Sequence, residues 1–172
     1  DFYPRLVALV ERPSECNQLV NEQAHVSLLL AGPGVVATIV LSEVLLRLFY
    51  TPEFAGAADT LRWICFGMAL RVVTWPMGFI IVARNNQRVF IAAELAWTVV
   101  NLGLSWLLVG AFGVLGAGIA FFASYVFHAA LIYPIVRRMT GFAWTGANLR
   151  GGAWLVGATA VVLAGFHLLS PL

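Results

Sequence analysis

Residues 61–83 read LRWICFGMALRVVTWPMGFIIVA, in which Arg71 is the only charged side chain after the first turn. A helix of this length measures about 35 Å, enough to cross a hydrocarbon layer of about 30 Å. Four other apolar stretches are similarly long, at residues 26–50, 89–109, 114–136 and 152–169. The sequence therefore predicts an all-α integral membrane protein with about five transmembrane helices.

The composition excludes an ordinary water-soluble enzyme. Of the 172 residues, 61% are hydrophobic and 10% are charged, whereas soluble domains contain about 45–50% apolar and about 25% charged residues. The net charge of +2 is too small for a nucleic-acid-binding surface. Motifs typical of metal ligands, nucleophiles or phosphate-binding loops do not occur, so we predict no catalytic residue, no cofactor and no bound metal.

The arginines are distributed unevenly between the two ends of the predicted helices. One side of the membrane has two, Arg47 and Arg62, whereas the other has seven: Arg5, Arg12, Arg84, Arg88, Arg137, Arg138 and Arg150. Cytoplasmic connections carry an excess of positive residues. We therefore predict that the N-terminal end of the chain is cytoplasmic.

The chain divides into three predicted segments. Residues 1–24 contain the end of a preceding helix and a cytoplasmic segment, residues 25–140 contain four transmembrane helices, and residues 141–172 contain a cytoplasmic loop and a fifth helix. Because the first residue is Asp and the first ten residues resemble the tail of a helix, we expect an internal or C-terminal piece of a longer protein.

Arg71 lies about halfway along its apolar stretch, where insertion of an arginine costs about 2.5–3.5 kcal/mol. Two interpretations explain such a residue. The arginine either bonds carbonyls freed by the kink at Pro76, or it lines a polar cavity together with the neighbouring Trp75. We favour the cavity, although an aromatic side chain such as Trp75 more often serves packing.

The third stretch has a polar stripe, at spacings that place it on one helix face: Glu94, Thr98, Asn101 and Ser105. The opposite, lipid-facing side would carry Leu95, Val99, Leu102 and Trp106. Such a stripe either joins helices or lines water. Asn101 is expected at the depth of Arg71, whereas Glu94 lies about 8 Å from the cytoplasmic end, which makes a direct Arg71–Glu94 pair unexpected.

Small residues recur every fourth position in the fourth stretch, at Gly116, Ala120 and Ser124, and the next member of the row is His128. Such a row allows another helix to approach closely. His128 is expected within about a turn of Glu94, so the two could exchange protons, but we favour a packed, hydrogen-bonded histidine. An ion pair is also predicted between Glu43 and Arg47, four residues apart.

Several short segments together resemble bacterial O-antigen translocases, which flip lipid-linked oligosaccharides and belong to the superfamily of multidrug and polysaccharide exporters. The segments are DFYPRL (1–6), LVNEQ (19–23), LLAGPG (29–34), LFY (48–50), LRW (61–63) and WPMGF (75–79), and the similarity covers about residues 1–140. The resemblance implies two helical lobes around a cavity that opens alternately to either side. The chain would be part of the C-terminal lobe, with the N-terminal lobe absent.

The resemblance also implies a substrate and a location. The substrate would be an undecaprenyl-pyrophosphate-linked O-antigen unit, moved across the bacterial inner membrane among its lipids, and Arg71 would bind its pyrophosphate. Thr98 and Asn101 would continue the polar path that a hydrated head group needs. The alternatives are a cation-coupled multidrug exporter that uses Glu94, a membrane-embedded glycan polymerase or acyltransferase, and a helix bundle without transport.

Overall fold

The computed structural model describes residues 1–169, and within them all regular structure is helical. The seven α-helices are α1 (Phe2–Ala8), α2 (Pro13–Val40), α3 (Ser42–Phe49), α4 (Ala58–Ala83), α5 (Gln87–Phe112), α6 (Val114–Thr140) and α7 (Gly146–Leu169). A 3₁₀ turn, Pro52–Ala57, joins α3 to α4.

Five helices, α2, α4, α5, α6 and α7, are long and apolar enough to cross a membrane. This confirms the predicted all-α fold and number of long helices. The prediction of one helix across residues 26–50 was wrong: α2 begins at Pro13, runs through Pro33 and ends at Val40, so this stretch is divided between α2 and α3. Proline suits the first helical position because its backbone angle is already helical, and the polar residues that follow extend the apolar helix without a break.

Helix α6 lies between α4 and α5 and packs along both of them. On its other side α4 packs against α2 and α7, whereas α5 contacts little besides α6. The predicted lipid-facing side of α5 is exposed, with Leu95, Val99, Leu102 and Trp106 at 60–84% of their full accessibility. Because α4 and α5 touch each other only slightly, a cleft remains between them, and α6 forms its floor.

Small residues on α6 let two helices approach closely. The predicted row faces α5, since a Cβ atom added at Gly116 would collide with the backbone of Leu108 and Ser124 bonds Asn101, whereas Gly118, outside the row, faces α4. Gly116, Ala120 and Ser124 are buried, and so is Gly118 in the same region. A Cβ atom added at Gly118 would lie 2.7 Å from the backbone oxygen of Thr60 on α4. Helices α4 and α6 are therefore in backbone contact at this level, with no space for a side chain.

A polar cluster joins three helix ends at one end of the molecule. The buried side chain of Asn21 donates to the backbone oxygen of Ala143 at 3.1 Å and accepts a hydrogen bond from the backbone N–H of Thr145 at 2.9 Å. Its Oδ1 also accepts from Asn148 Nδ2 at 3.0 Å.

Arg84 donates to the backbone oxygens of Met139 and Val10. The ends of α1, α4 and α6 therefore meet here, at what we call the arginine-rich end.

The opposite end is held by Arg62, which is only 4% exposed. Its guanidinium donates to Asp59 Oδ1 at 2.7 Å and to Glu43 Oε1 at 3.0 Å, and it lies over the ring of Phe166 at 3.6 Å. The predicted pairing of Glu43 with Arg47 was therefore wrong. A buried guanidinium needs counter-charges more than an exposed one does, because it has lost its water.

Replacing Gly118 with Val should destabilise the protein by about 1–3 kcal/mol, because the added atoms push α6 away from the backbone of α4. The measurement is the midpoint of thermal unfolding in detergent. Gly103→Val is the matched control, since a Cβ at Gly103 meets nothing within 4 Å. Equal shifts for both variants would show that α4 and α6 are not in tight contact at Gly118.

Candidate functional site

A cavity of about 140 Å³ lies between α4, α5 and α6. Its lining residues are spaced three or four apart on each helix and therefore share one face: Arg71, Thr74 and Trp75 from α4, Glu94 and Trp97 from α5, and Tyr125 and His128 from α6. All seven side chains carry a polar atom or a charge. The structure thus contains a cavity with polar lining at Arg71, in the cleft between α4 and α5.

The Arg71 guanidinium lies near two aromatic rings. Its central carbon lies 5.4 Å from the ring centre of Trp75 and 6.0 Å from that of Tyr125, near the limit of about 6 Å for cation–π attraction. Among the described residues Arg71 has no carboxylate within the 4.0 Å of an ion pair. Within residues 1–169, Arg71 donates no hydrogen bond to a backbone carbonyl. The interpretation that Arg71 bonds carbonyls freed by the kink at Pro76 was therefore wrong.

Glu94 and His128 form the second charged feature of the cavity. Glu94 Oε1 lies 3.7 Å from His128 Nε2, and the Glu94 side chain is 43% exposed against 12% for His128. Arg71 and Glu94 line the same cavity without an ion pair, in agreement with the sequence. When His128 is protonated its charge balances that of Glu94, which leaves Arg71 as the excess cation.

Three buried polar atoms at the cavity have no hydrogen-bond partner among the described residues. They are Thr74 Oγ1, Trp97 Nε1 and His128 Nδ1. Buried polar groups normally have a partner, either protein or water, because leaving one unsatisfied costs about 1–3 kcal/mol. These three atoms belong to residues in the wall of the cavity and are unsatisfied in this arrangement of the side chains.

The structure separates the predicted stripe on α5. Asn101 Nδ2 donates to Ser124 Oγ on α6 at 2.9 Å, and the exposed Thr98 donates to the backbone oxygen of Glu94 at 2.8 Å. Neither residue lines the cavity with Arg71. Because Ser124 is small, α5 and α6 are in direct contact at the level of Asn101. Glu94 lines the cavity and Asn101 joins two helices.

Of the seven lining residues, the sequence identified four as candidates, Arg71, Trp75, Glu94 and His128, and missed three, Thr74, Trp97 and Tyr125. Each of the three lies three positions from a candidate, since Thr74 follows Arg71, Trp97 follows Glu94 and Tyr125 precedes His128. Helical spacing from a costly intramembrane residue was therefore the available signal.

Comparisons with known proteins point to one class. Lipid III flippases of Escherichia coli (strain K12) and Shigella flexneri are each 26% identical to this chain over 129 residues, which is 74% of the chain and 30% of the relative. The chain thus spans about 30% of the length of these curated relatives. No family model matches the chain. No solved structure matches it either.

Proposed function

We propose that this chain is part of a multi-pass inner-membrane transporter that flips a lipid-linked oligosaccharide from the cytoplasmic to the periplasmic leaflet. Five long apolar helices and the similarity to lipid III flippases support this class of protein. A glycan head group cannot cross hydrocarbon unaided, because its hydroxyls and charges would lose their water. The cavity between α4, α5 and α6 offers polar groups inside an otherwise apolar bundle.

The observation that carries the proposal is the environment of Arg71. Its guanidinium faces a cavity with unsatisfied hydrogen-bonding atoms and no ion-pair partner among the described residues. A guanidinium suits pyrophosphate, whose oxygens accept two parallel hydrogen bonds from it. We propose that the ligand is the pyrophosphate of an undecaprenyl-linked O-antigen unit, a substrate that rests on the sequence resemblance.

The proposed binding residues have unequal support. Trp75 borders the cavity and is 57% exposed, so its ring is accessible to a sugar. Thr98 and Asn101 have weaker support as parts of the path, because their polar groups are bonded within α5 and to α6. Arg71 and Trp75 are accordingly the residues on which the proposal depends.

We further propose that the chain belongs to the C-terminal lobe of a two-lobe exporter whose N-terminal lobe lies outside it. The three predicted segments, 1–24, 25–140 and 141–172, are parts of that lobe, and residues 170–172 lie outside the described residues. The N-terminal end of the chain is proposed to be cytoplasmic, on the basis of its arginines. Alternating access would move one lobe against the other around a site near the midplane.

Replacing Arg71 with Ala in the intact protein should reduce flipping of the lipid-linked glycan at least about tenfold, because a charged hydrogen-bond partner worth about 1.5–3 kcal/mol is lost. The measurement is glycan display at the cell surface, with membrane insertion checked by immunoblot. Arg47→Ala, at an exposed arginine, is the control. Normal surface glycan in Arg71→Ala cells would refute the role of Arg71.

Glu94 and His128 are the proposed coupling residues, since protonation of His128 alters the charge of the cavity. Groups that face His128 are Glu94 on α5, Arg71 on α4 and Tyr125 on α6. The affinity of the intact protein for inorganic pyrophosphate, measured by calorimetry, should therefore rise relative to that of His128→Gln as the pH is lowered from about 7 to about 5. In His128→Gln the affinity should depend on pH only through the ionisation of pyrophosphate itself. Identical profiles for the two proteins would exclude His128 from coupling.

One observation favours a second candidate, the cation-coupled multidrug exporter. The carboxylate of Glu94 is partly exposed in the cavity, where it is able to bind a cation. If Glu94→Gln abolished drug efflux while glycan display stayed normal, this candidate would replace the flippase. A polymerase or acyltransferase has less support, because the connection between α3 and α4 is a short 3₁₀ turn that contributes one acid, Glu53.

A further inference from the structure

A second cavity, of about 170 Å³, adjoins the one around Arg71. The two cavities share Trp75, Glu94 and His128 in their walls. The second continues along the same cleft between α4 and α5, above α6. The polar cavity and its neighbour are therefore adjacent, with Trp75, Glu94 and His128 at the boundary between them.

Beyond the shared residues, the walls of the second cavity are apolar. They are formed by Gly78, Phe79 and Val82 of α4, Phe90 of α5 and Ile132 of α6. A Cβ atom added at Gly78 would meet nothing within 4 Å. The absence of a side chain at Gly78 thus contributes to the open space, which we call the apolar slot.

The apolar slot runs from the level of Trp75 to that of Val82, seven residues along α4 and about 10 Å. Val82 is close to the end of α4, where Arg84 donates to backbone oxygens at the arginine-rich end. The slot therefore extends from the polar cavity toward the end of the molecule that we predict to be cytoplasmic.

We infer that the apolar slot holds the first isoprene units of a polyprenyl chain whose pyrophosphate binds at Arg71. This inference rests on the proposed function and adds a site for the lipid part of the substrate. A ligand with a charged head and an apolar tail matches a polar cavity beside an apolar one, because each part then stays in its preferred surroundings. The remainder of the chain would leave the cleft into the lipid.

The position of the slot distinguishes a polyprenyl pyrophosphate from an ordinary phospholipid. A phospholipid keeps its phosphate at the membrane surface, whereas the polar cavity lies about halfway along α4, at Arg71. A phospholipid tail in the slot would place its phosphate near the middle of the bilayer, where it loses its water. A substrate in the course of being flipped must bring its phosphates to that depth.

The test introduces a larger side chain into the apolar slot and leaves the residues that line the polar cavity unchanged. In the intact protein in nanodiscs, Gly78→Leu should weaken binding of undecaprenyl pyrophosphate about tenfold, since the leucine occupies the space of the chain. Binding of inorganic pyrophosphate should change less than about twofold. Gly103→Leu is the matched control, because a Cβ at Gly103 also meets nothing within 4 Å and Gly103 lines neither cavity.

The outcomes separate this inference from the proposed function. Unchanged binding of undecaprenyl pyrophosphate to Gly78→Leu, or equal weakening of both probes, would overturn the slot. If Arg71→Ala bound inorganic pyrophosphate as the unaltered protein does, the proposed role of Arg71 would fail instead. A photoreactive group on the first isoprene unit should crosslink to α4 or α5 beside Gly78 or Phe90. Crosslinks confined to other helices would also overturn the slot.

Discussion

The cost of one charge in an apolar layer governs the arrangement of this helix bundle. An arginine at the centre of a membrane helix costs about 2.5–3.5 kcal/mol, and Arg71 has no carboxylate within ion-pair distance among the described residues to offset that cost. Two aromatic rings, Trp75 and Tyr125, and a polar cavity take the place of a counter-ion. Water or an anion in that cavity would complete the solvation of Arg71.

The cavity exists because of how three helices pack. Small residues on α6 bring α4 into backbone contact at Gly118, and Ser124 brings α5 close enough for a hydrogen bond from Asn101. Away from that contact α4 and α5 diverge, and the space between them has a polar part at Arg71 and an apolar part at Gly78. The close contacts of α6 at Gly118 and Ser124 thus help to position the cleft between α4 and α5.

The two ends of the bundle are held by different interactions. At the arginine-rich end, Asn21 and Arg84 bond backbone groups of neighbouring segments, so the ends of α1, α4 and α6 stay together. At the other end Arg62 joins α3, α4 and α7 through Glu43 and Phe166. Arg62 is buried and paired with two carboxylates, whereas Arg71 has no ion-pair partner among the described residues. The two arginines of α4 therefore differ in their surroundings, since Arg62 is paired within the bundle and Arg71 lines a cavity.

Much of the fold was predictable, since apolar stretches of membrane length are visible in composition alone. The break at Leu41 was not, because nothing in residues 26–50 marks the change from α2 to α3. Within the site, Arg71, Glu94 and His128 were recognisable because polar groups are costly in lipid. The separation of Asn101 from Arg71 depended on where α5 touches α6, and the partner of Glu43 on contacts 19 residues apart, which only packing decides.

The most direct test of the account asks whether Arg71 creates a water-accessible, anion-attracting cavity. In the intact protein with Trp75→Cys, the reaction rates of an anionic and a cationic water-soluble thiol reagent should be compared. Trp75 borders both cavities, so the new thiol faces Arg71. The account predicts faster reaction with the anionic reagent and loss of that preference when Arg71→Gln is added. No reaction, or a preference unaffected by Arg71→Gln, would contradict it.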